Sequence, residues 1–216
     1  MKAVCLLSGG PDSATAAAVA KREGYELYCL SFNYGQIATK EIESAKKIAR
    51  ALGVKEHRIV DISFLRELYG PGVTALLDKR MPMPEKFDQS IIVPFRNGIL
   101  LAIAAGYATA VGAEVIFYGA QGDDARFYPD CRREFVSAIS RAISSGTESK
   151  LAVRNPLGDR TKAEVLKLAD ELGVPLELTW SCYLNGELHC GRCESCRNRK
   201  RAFAEAGIKD PASYAK

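Results

Sequence analysis

Ser8-Gly9-Gly10-Pro11-Asp12-Ser13 is the stretch of this chain best suited to chemistry. Two glycines remove the side chains that would keep an anion away, so backbone N–H groups can face a phosphate. Ser8 and Ser13 add hydroxyl donors, and Asp12 can cap a helix or hold a magnesium ion. The stretch lacks the Gly-Lys-Ser/Thr ending of a Walker A loop and does not fit Gly-x-Gly-x-x-Gly. A second chemical group lies far along the chain, where Cys182, Cys190, Cys193 and Cys196 follow the spacing Cys-x7-Cys-x2-Cys-x2-Cys. Thiolates so spaced suit tetrahedral zinc or an iron–sulfur cluster. Four sulfurs complete the coordination of zinc, so a zinc held here would be structural. His189 adjoins Cys190 and could stand in as a ligand, but four cysteines suffice. Cys5, Cys29 and His57 read as structural residues of strands.

These groups need elements to hold them in place. The apolar run Ala3-Val4-Cys5-Leu6-Leu7 predicts a buried strand and residues 14–22 a helix, which makes the polar stretch between them a strand-to-helix turn. The helix N-terminus behind that turn adds partial positive charge. Strands are predicted over 25–32, 58–62, 114–118 and 151–153, and helices over 39–52, 97–111, from near 131, and over 162–172. Residues 70–89, rich in Pro, Gly and Met and without clean periodicity, read as a long loop of the functional or disordered type. The alternation predicts an α/β fold with a doubly wound, mostly parallel sheet, ligands binding beyond the carboxyl ends of its strands. Residues 1–178 form the α/β unit in this reading. Residues 179–216, a cysteine-rich zinc knuckle and a C-terminal helix, pack on it as a small appendage of one structural unit.

Composition sets the remaining bounds. With 216 residues, 47% of them hydrophobic, the chain can bury one substantial core. Lys+Arg 30 against Asp+Glu 26 gives +4, which suits a phosphate-bearing ligand and is too mild for nucleic-acid binding. No uninterrupted apolar run is long enough to span a bilayer, and no signal-type segment precedes the first strand. Metal-type cysteine spacing fits the reducing cytosol, so a cytoplasmic protein without a membrane partner is expected.

Ser-Gly-Gly-x-Asp-Ser behind a first strand resembles the pyrophosphate loop of the ATP pyrophosphatase superfamily, whose members split ATP between its α and β phosphates. Nearly end to end, the motifs resemble those of the 7-cyano-7-deazaguanine synthase family of the queuosine and archaeosine pathways. They are the loop itself, Phe32-Asn33-Tyr34-Gly35-Gln36, Val93-Pro94-Phe95-Arg96-Asn97, Gly119 through Arg132 with Tyr128-Pro129-Asp130-Cys131-Arg132, Asp159-Arg160-Thr161-Lys162-Ala163-Glu164, and Trp180-Ser181-Cys182-Tyr183 with the other three cysteines. The chain departs from the family at Ile37-Ala38, where Arg-His is usual.

The resemblance implies an adenine nucleotide alpha hydrolase-like fold and an ATP-dependent carbon–nitrogen ligase. Such an enzyme converts 7-carboxy-7-deazaguanine and ammonia to the nitrile through adenylated carboxylate and amide intermediates. ATP, Mg2+ and a structural Zn2+ are the implied cofactors, and a homodimer the implied assembly. By the same resemblance Leu7, Ser8, Gly9, Gly10, Pro11, Asp12, Ser13, Ala14 and Lys162 bind ATP, Lys162 neutralising phosphates and Asp12 holding magnesium. Tyr34, Gln36, Arg96, Asn97, Asp124, Tyr128, Asp130 and Arg132 are the substrate or catalytic candidates. Asp124, Asp130 and Arg132 would read the guanine-like edge or the carboxylate, since arginine grips carboxylate in a bidentate fork. Two rivals are a tRNA-adenylating enzyme on the same fold and a zinc-knuckle module with a vestigial loop. The mild charge opposes the first, and the retained serines, glycines and Asp12 oppose the second.

Overall fold

Strand β1 (Lys2–Leu6) leads directly into helix α1 (Pro11–Arg22), and β2 (Glu26–Asn33) into α2 (Lys40–Leu52). The chain continues through β3 (Glu56–Asp61), α3 (Leu65–Tyr69), α4 (Arg96–Val111), β4 (Val115–Phe117) and α5 (Arg133–Gly146). It ends with β5 (Ala152–Arg154), α6 (Lys162–Glu171) and α7 (Glu194–Ala206). This is a computed structural model that describes residues 1–215; Lys216, the last residue of the expected C-terminal unit, lies outside the described residues.

All strand pairs are parallel, in the order β3-β2-β1-β4-β5, with Ala3 facing Leu27 on one side and Val115 on the other. The chain winds outward from β1 to β3, then returns to lay β4 on the other flank of β1. The strand order therefore reverses between β1 and β4, and the crevice above that point is where such sheets bind ligands.

Side-chain alternation divides the core into two layers. Val4, Leu6, Leu30 and Ile116 pack with Leu101 and Ala104 of α4. Ala3, Cys5, Cys29, Val115 and Phe117 pack with Ala14 and Ala17 of α1, Ile48 of α2, Leu166 of α6 and Phe203 of α7. Helices thus cover both faces, as the alternation predicts, and Cys5 and Cys29 are core residues in register with each other. The span Gln89–Val111 is long and apolar enough to cross a membrane by composition. Here α4 instead buries Gly98, Leu101, Ala104, Ala105 and Ala108 against the sheet, behind the polar pair Arg96-Asn97.

Helix α1 begins at Pro11, three residues before the predicted start at 14, because proline at the first helical position gives up an N–H that has no intrahelical partner. Gly10 is the N-cap, so Asp12 lies in the first turn and does not cap the helix. The short helix α3 lies between the predicted strand 58–62 and the long loop, where no helix is predicted, and buries only Leu65. The C-terminal segment is pinned to the α/β core by Arg199, 1% exposed. Its guanidinium pairs with Asp210 and donates to Thr179 Oγ1 at 2.8 Å and to the Leu176 carbonyl at 3.4 Å.

Candidate active site

The turn between β1 and α1 is a closed hydrogen-bonded cradle. Ser13 Oγ donates to the Gly10 carbonyl at 3.0 Å and accepts the Ser8 N–H at 3.1 Å. Ser8 Oγ lies 3.0 Å from Ser13 Oγ, and with the Ser13 proton already committed it is the donor. Gly9 has φ +91°, and a Cβ there would lie 2.1 Å from the Glu41 carbonyl, so the turn packs directly on the first turn of α2. Gly119, just after β4, makes a similar approach, since its Cβ would lie 2.6 Å from the Asp12 carbonyl. The Trp180 N–H donates to the Gly9 carbonyl at 2.9 Å, which ties the cysteine-rich segment to the turn between β1 and α1.

Beyond this turn lies a cavity of about 340 Å³. Leu7, Ser8, Gly10, Pro11, Asp12, Ser13 and Lys162 line one side of it. Lys162, at the start of α6, ion-pairs with Asp12 Oδ2, and its backbone N–H donates to Asp123 Oδ2 at 3.1 Å. Asp12 Oδ1 is buried without a hydrogen-bond partner among the described residues. Gly9 and Ala14 lie behind the wall, Ala14 wholly within the core.

Of the remaining candidates, Tyr34, Gln36, Arg96, Asn97, Asp124, Tyr128 and Asp130 all line the same cavity. Several are committed to holding it in shape. Gln36 accepts the Tyr34 N–H at 2.9 Å and donates to the Phe32 carbonyl at 3.0 Å, closing its own turn. Asp130 accepts the Asn97 N–H at 3.0 Å and so satisfies the N-terminus of α4. Arg96 donates to the Tyr34 hydroxyl at 3.3 Å. Arg132 does not reach the cavity wall: it is exposed, and its Nε donates to the Ala125 carbonyl at 3.1 Å.

The wall also holds residues that sequence reasoning missed. Ser31, Glu41, Phe87, Tyr118, Phe127, Tyr183, Glu194 and Asn198 all contribute. Phe87, from the long loop, stacks on Phe127 with ring centroids 4.1 Å apart, so that loop forms one side of the site. Glu194 follows Cys193, accepts from the Tyr183 hydroxyl at 3.1 Å and is also held by Asn198. The cysteine segment is therefore part of the cavity wall. Ser31 Oγ lies 2.7 Å from His57 Nε2, which gives that histidine a structural partner.

Burial sets the electrostatics of the cavity. It pushes the Glu41 carboxyl up to about 7 against the opposing pull of Arg96. Asp124 is pushed up to about 6 by burial and by the neighbouring Asp12 carboxylate. Tyr34 rises to about 12, also through burial. Charges at these buried positions act strongly on one another.

The four cysteines converge at the base of α7, their sulfurs all within 4.8 Å of one another. Cys182 Sγ accepts N–H groups from Leu184 at 3.3 Å and Cys190 at 3.4 Å, and Cys190 Sγ accepts one from Cys193 at 3.3 Å. The Cys182 thiol is pushed down by the Cys193 and Cys196 thiols that donate to it. This donor set fits a tetrahedral thiolate-bound metal. His189 is turned away from that role: its Nε2 accepts the Ser181 N–H at 3.1 Å and its ring packs on Trp180 at 4.2 Å.

A serine–glycine turn beside the strand reversal of a parallel five-stranded sheet defines a doubly wound α/β protein with a strand-to-helix turn at its ligand crevice. Solved structures share this fold. NMN synthetase from Francisella tularensis has a TM-score of 0.54 at 18% identity, covering 96% of this chain and 78% of that one. A 4-thiouridine synthetase, solved as an RNA complex with bound ATP, has a TM-score of 0.53 at 20% identity, covering 95% and 50%. Within that class the chain belongs to the QueC family: the family model described as queuosine biosynthesis protein QueC matches residues 2–207. A relative from Sulfurovum sp. (strain NBC37-1), named 7-cyano-7-deazaguanine synthase, is 44% identical over 222 residues, covering 100% of this chain and 99% of its own. A relative of the same name from Oceanobacillus iheyensis is 45% identical over 219 residues, covering 99% and 98%.

Proposed function

We propose that this chain converts 7-carboxy-7-deazaguanine, ATP and ammonia to 7-cyano-7-deazaguanine, the product for which its relatives are named. The observation that carries the reading is a serine–glycine turn at a helix N-terminus and a polar, aromatic compartment on the wall of one cavity. A carboxylate oxygen leaves only once it has become a phosphoanhydride. The substrate carboxylate attacks the α phosphorus of ATP, and pyrophosphate departs. Ammonia then adds to the acyl carbon, and AMP leaves with the adenylated oxygen to give the amide. The amide oxygen takes a second adenylyl group and again releases pyrophosphate. Loss of the nitrogen-bound protons and of AMP breaks the carbon–oxygen bond and leaves the nitrile.

The residues contribute position and charge more than acid–base chemistry. Ser8, Gly10 and Ser13 would bind the departing pyrophosphate, and Lys162 would neutralise it. Asp12 fits a magnesium ligand because its Oδ1 is buried without a partner, and Asp124 stands close enough to raise the local negative charge. Magnesium, when bound with ATP, supplies further charge neutralisation there. Tyr34, Arg96, Asn97, Tyr128 and Asp130 would shape the heterocycle site, with Gln36 supporting Tyr34. Cys182, Cys190, Cys193 and Cys196 would hold one structural zinc, which stiffens the segment carrying Tyr183 and Glu194.

We further propose a cytoplasmic homodimer using free ammonia, with residues 1–178 and 179–216 as one unit, and a nitrile destined for queuosine or archaeosine. Phe64 and Leu68, one helical turn apart and 59% and 70% exposed, are apolar surface that a second copy would cover. Purified protein incubated with ATP, magnesium, ammonium and 7-carboxy-7-deazaguanine should yield the nitrile and AMP, followed by mass. Accumulation of the amide alone would remove the second activation from this proposal. An unchanged substrate would reject it.

A further inference from the structure

Tyr118 immediately follows β4, at the strand reversal where ligands of this architecture lie. It is 3% exposed, lines the cavity, and its hydroxyl has no hydrogen-bond partner among the described residues. A hydroxyl buried without a partner weakens a fold, so the folded protein gains nothing from this oxygen. Three other polar groups of the same wall are matched within the protein: Tyr34 with Arg96, Asp130 with Asn97, and Tyr183 with Glu194. Tyr118 alone of these is left to a ligand.

Strand alternation indicates which ligand. Tyr118 shares its core layer with α4 and Cys131, whereas α1, which carries the phosphate turn, packs on the opposite face of the sheet. The ionisable groups that act on it are Asp130 and Cys131, and Lys162 is not among them. We propose that the Tyr118 hydroxyl is a substrate-binding group that donates a hydrogen bond to an acceptor oxygen of the deazaguanine, an inference that rests on the reaction proposed above. Burial, Cys131 and Asp130 all oppose ionisation of the phenol, so it remains a donor through the working pH range. Carboxylates in the same wall can accept from ring N–H and amino groups; a neutral phenol supplies the complementary donor. The acceptor is either the ring carbonyl or an oxygen of the carboxyl group.

The test is Tyr118→Phe, with 7-carboxy-7-deazaguanine and 7-deazaguanine titrated calorimetrically in the presence of α,β-methylene ATP. Loss of one buried hydrogen bond should weaken binding of the carboxylated substrate about tenfold. The KM for ATP should not change, and the melting temperature of the ligand-free protein should hold or rise. A matching loss for 7-deazaguanine assigns the oxygen to the ring, and a loss confined to the carboxylated compound assigns it to the carboxyl group. Equal affinity in wild type and variant overturns the inference, as does a lowered melting temperature with unchanged substrate affinity. A raised KM for ATP alone would give the hydroxyl to the nucleotide and also overturn it. Wild-type protein that binds no 7-carboxy-7-deazaguanine would overturn the proposed reaction itself, and the Tyr118 assignment with it.

Discussion

Gly9→Ala is the substitution that most sharply tests how the phosphate turn is built. The added Cβ would sit 2.1 Å from the Glu41 carbonyl and 3.0 Å from the Ala45 nitrogen, both backbone atoms of α2 that cannot rotate away. Overpacking of this kind costs roughly 1–3 kcal/mol. The φ of +91° adds about 1–3 kcal/mol for a residue with a Cβ. The sum, roughly 2–6 kcal/mol, is a large part of the ~5–15 kcal/mol by which a domain is stable. At about 2–4 °C per kcal/mol for a chain of this size, the melting temperature should fall by roughly 5–20 °C. Gly24→Ala is the control, because Gly24 has φ +87° but nothing within 4 Å of its Cβ position. It bears the conformational cost alone. Gly10→Ala separates stability from function: φ there is −84° and the nearest atoms are 3.6 Å away, so the fold tolerates the methyl group. That methyl intrudes on the phosphate face, and AMP release should fall by roughly 10–100-fold as backbone N–H donors lose their approach. Differential scanning calorimetry with a parallel AMP assay reads all three variants. A Gly9→Ala protein that melts no lower than Gly24→Ala would refute the packing of the turn on α2.

Lys162→Met should lower AMP release by roughly 10²–10³-fold while the protein stays folded, because the Thr161–Glu164 capping box at the start of α6 remains. Steady-state kinetics and a melting curve together check this. Cys196→Ser, or prolonged chelation, should remove the bound metal and lower the melting temperature, and elemental analysis of wild-type protein should find one zinc per chain. Glu41 makes stability depend on pH. Its carboxyl is raised by burial from 4.5 to about 7, so the folded protein binds a proton in that window that the unfolded chain has released. Its contribution is full below about 4.5 and is lost as pH rises through about 7, so Glu41→Gln should flatten that limb of the melting-temperature profile.

What the sequence makes legible is local. The turn between β1 and α1 is legible because glycines and serines between an apolar run and a helix mark a strand-to-helix connection. The cysteine spacing is equally self-contained, since two intervening residues let a tight turn bring successive sulfurs together. Strand and helix order followed from alternation, and most boundaries fell within two residues of the periodic pattern. The cavity wall was harder because it is assembled across the fold. Glu41 looks like a solvated helix-start residue until Gly9 brings the phosphate turn against α2. Glu194 lies between metal-type cysteines and reaches the site only because Trp180 ties that segment to the loop. Asp130 carries a charge that suggests ligand reading, yet one of its oxygens satisfies the start of α4. Arg132, two residues on, points elsewhere because the chain turns into α5 there. Residue type indicates what a side chain can do; long-range contacts decide what it is left to do.

The most direct test of the account is the count of AMP released per nitrile formed, measured with 15N-labelled ammonium and 7-carboxy-7-deazaguanine. Two adenylations predict two AMP for each 15N-labelled nitrile, with no ADP and no requirement for tRNA. One AMP per nitrile, or AMP release that depends on added tRNA, would contradict the proposed reaction.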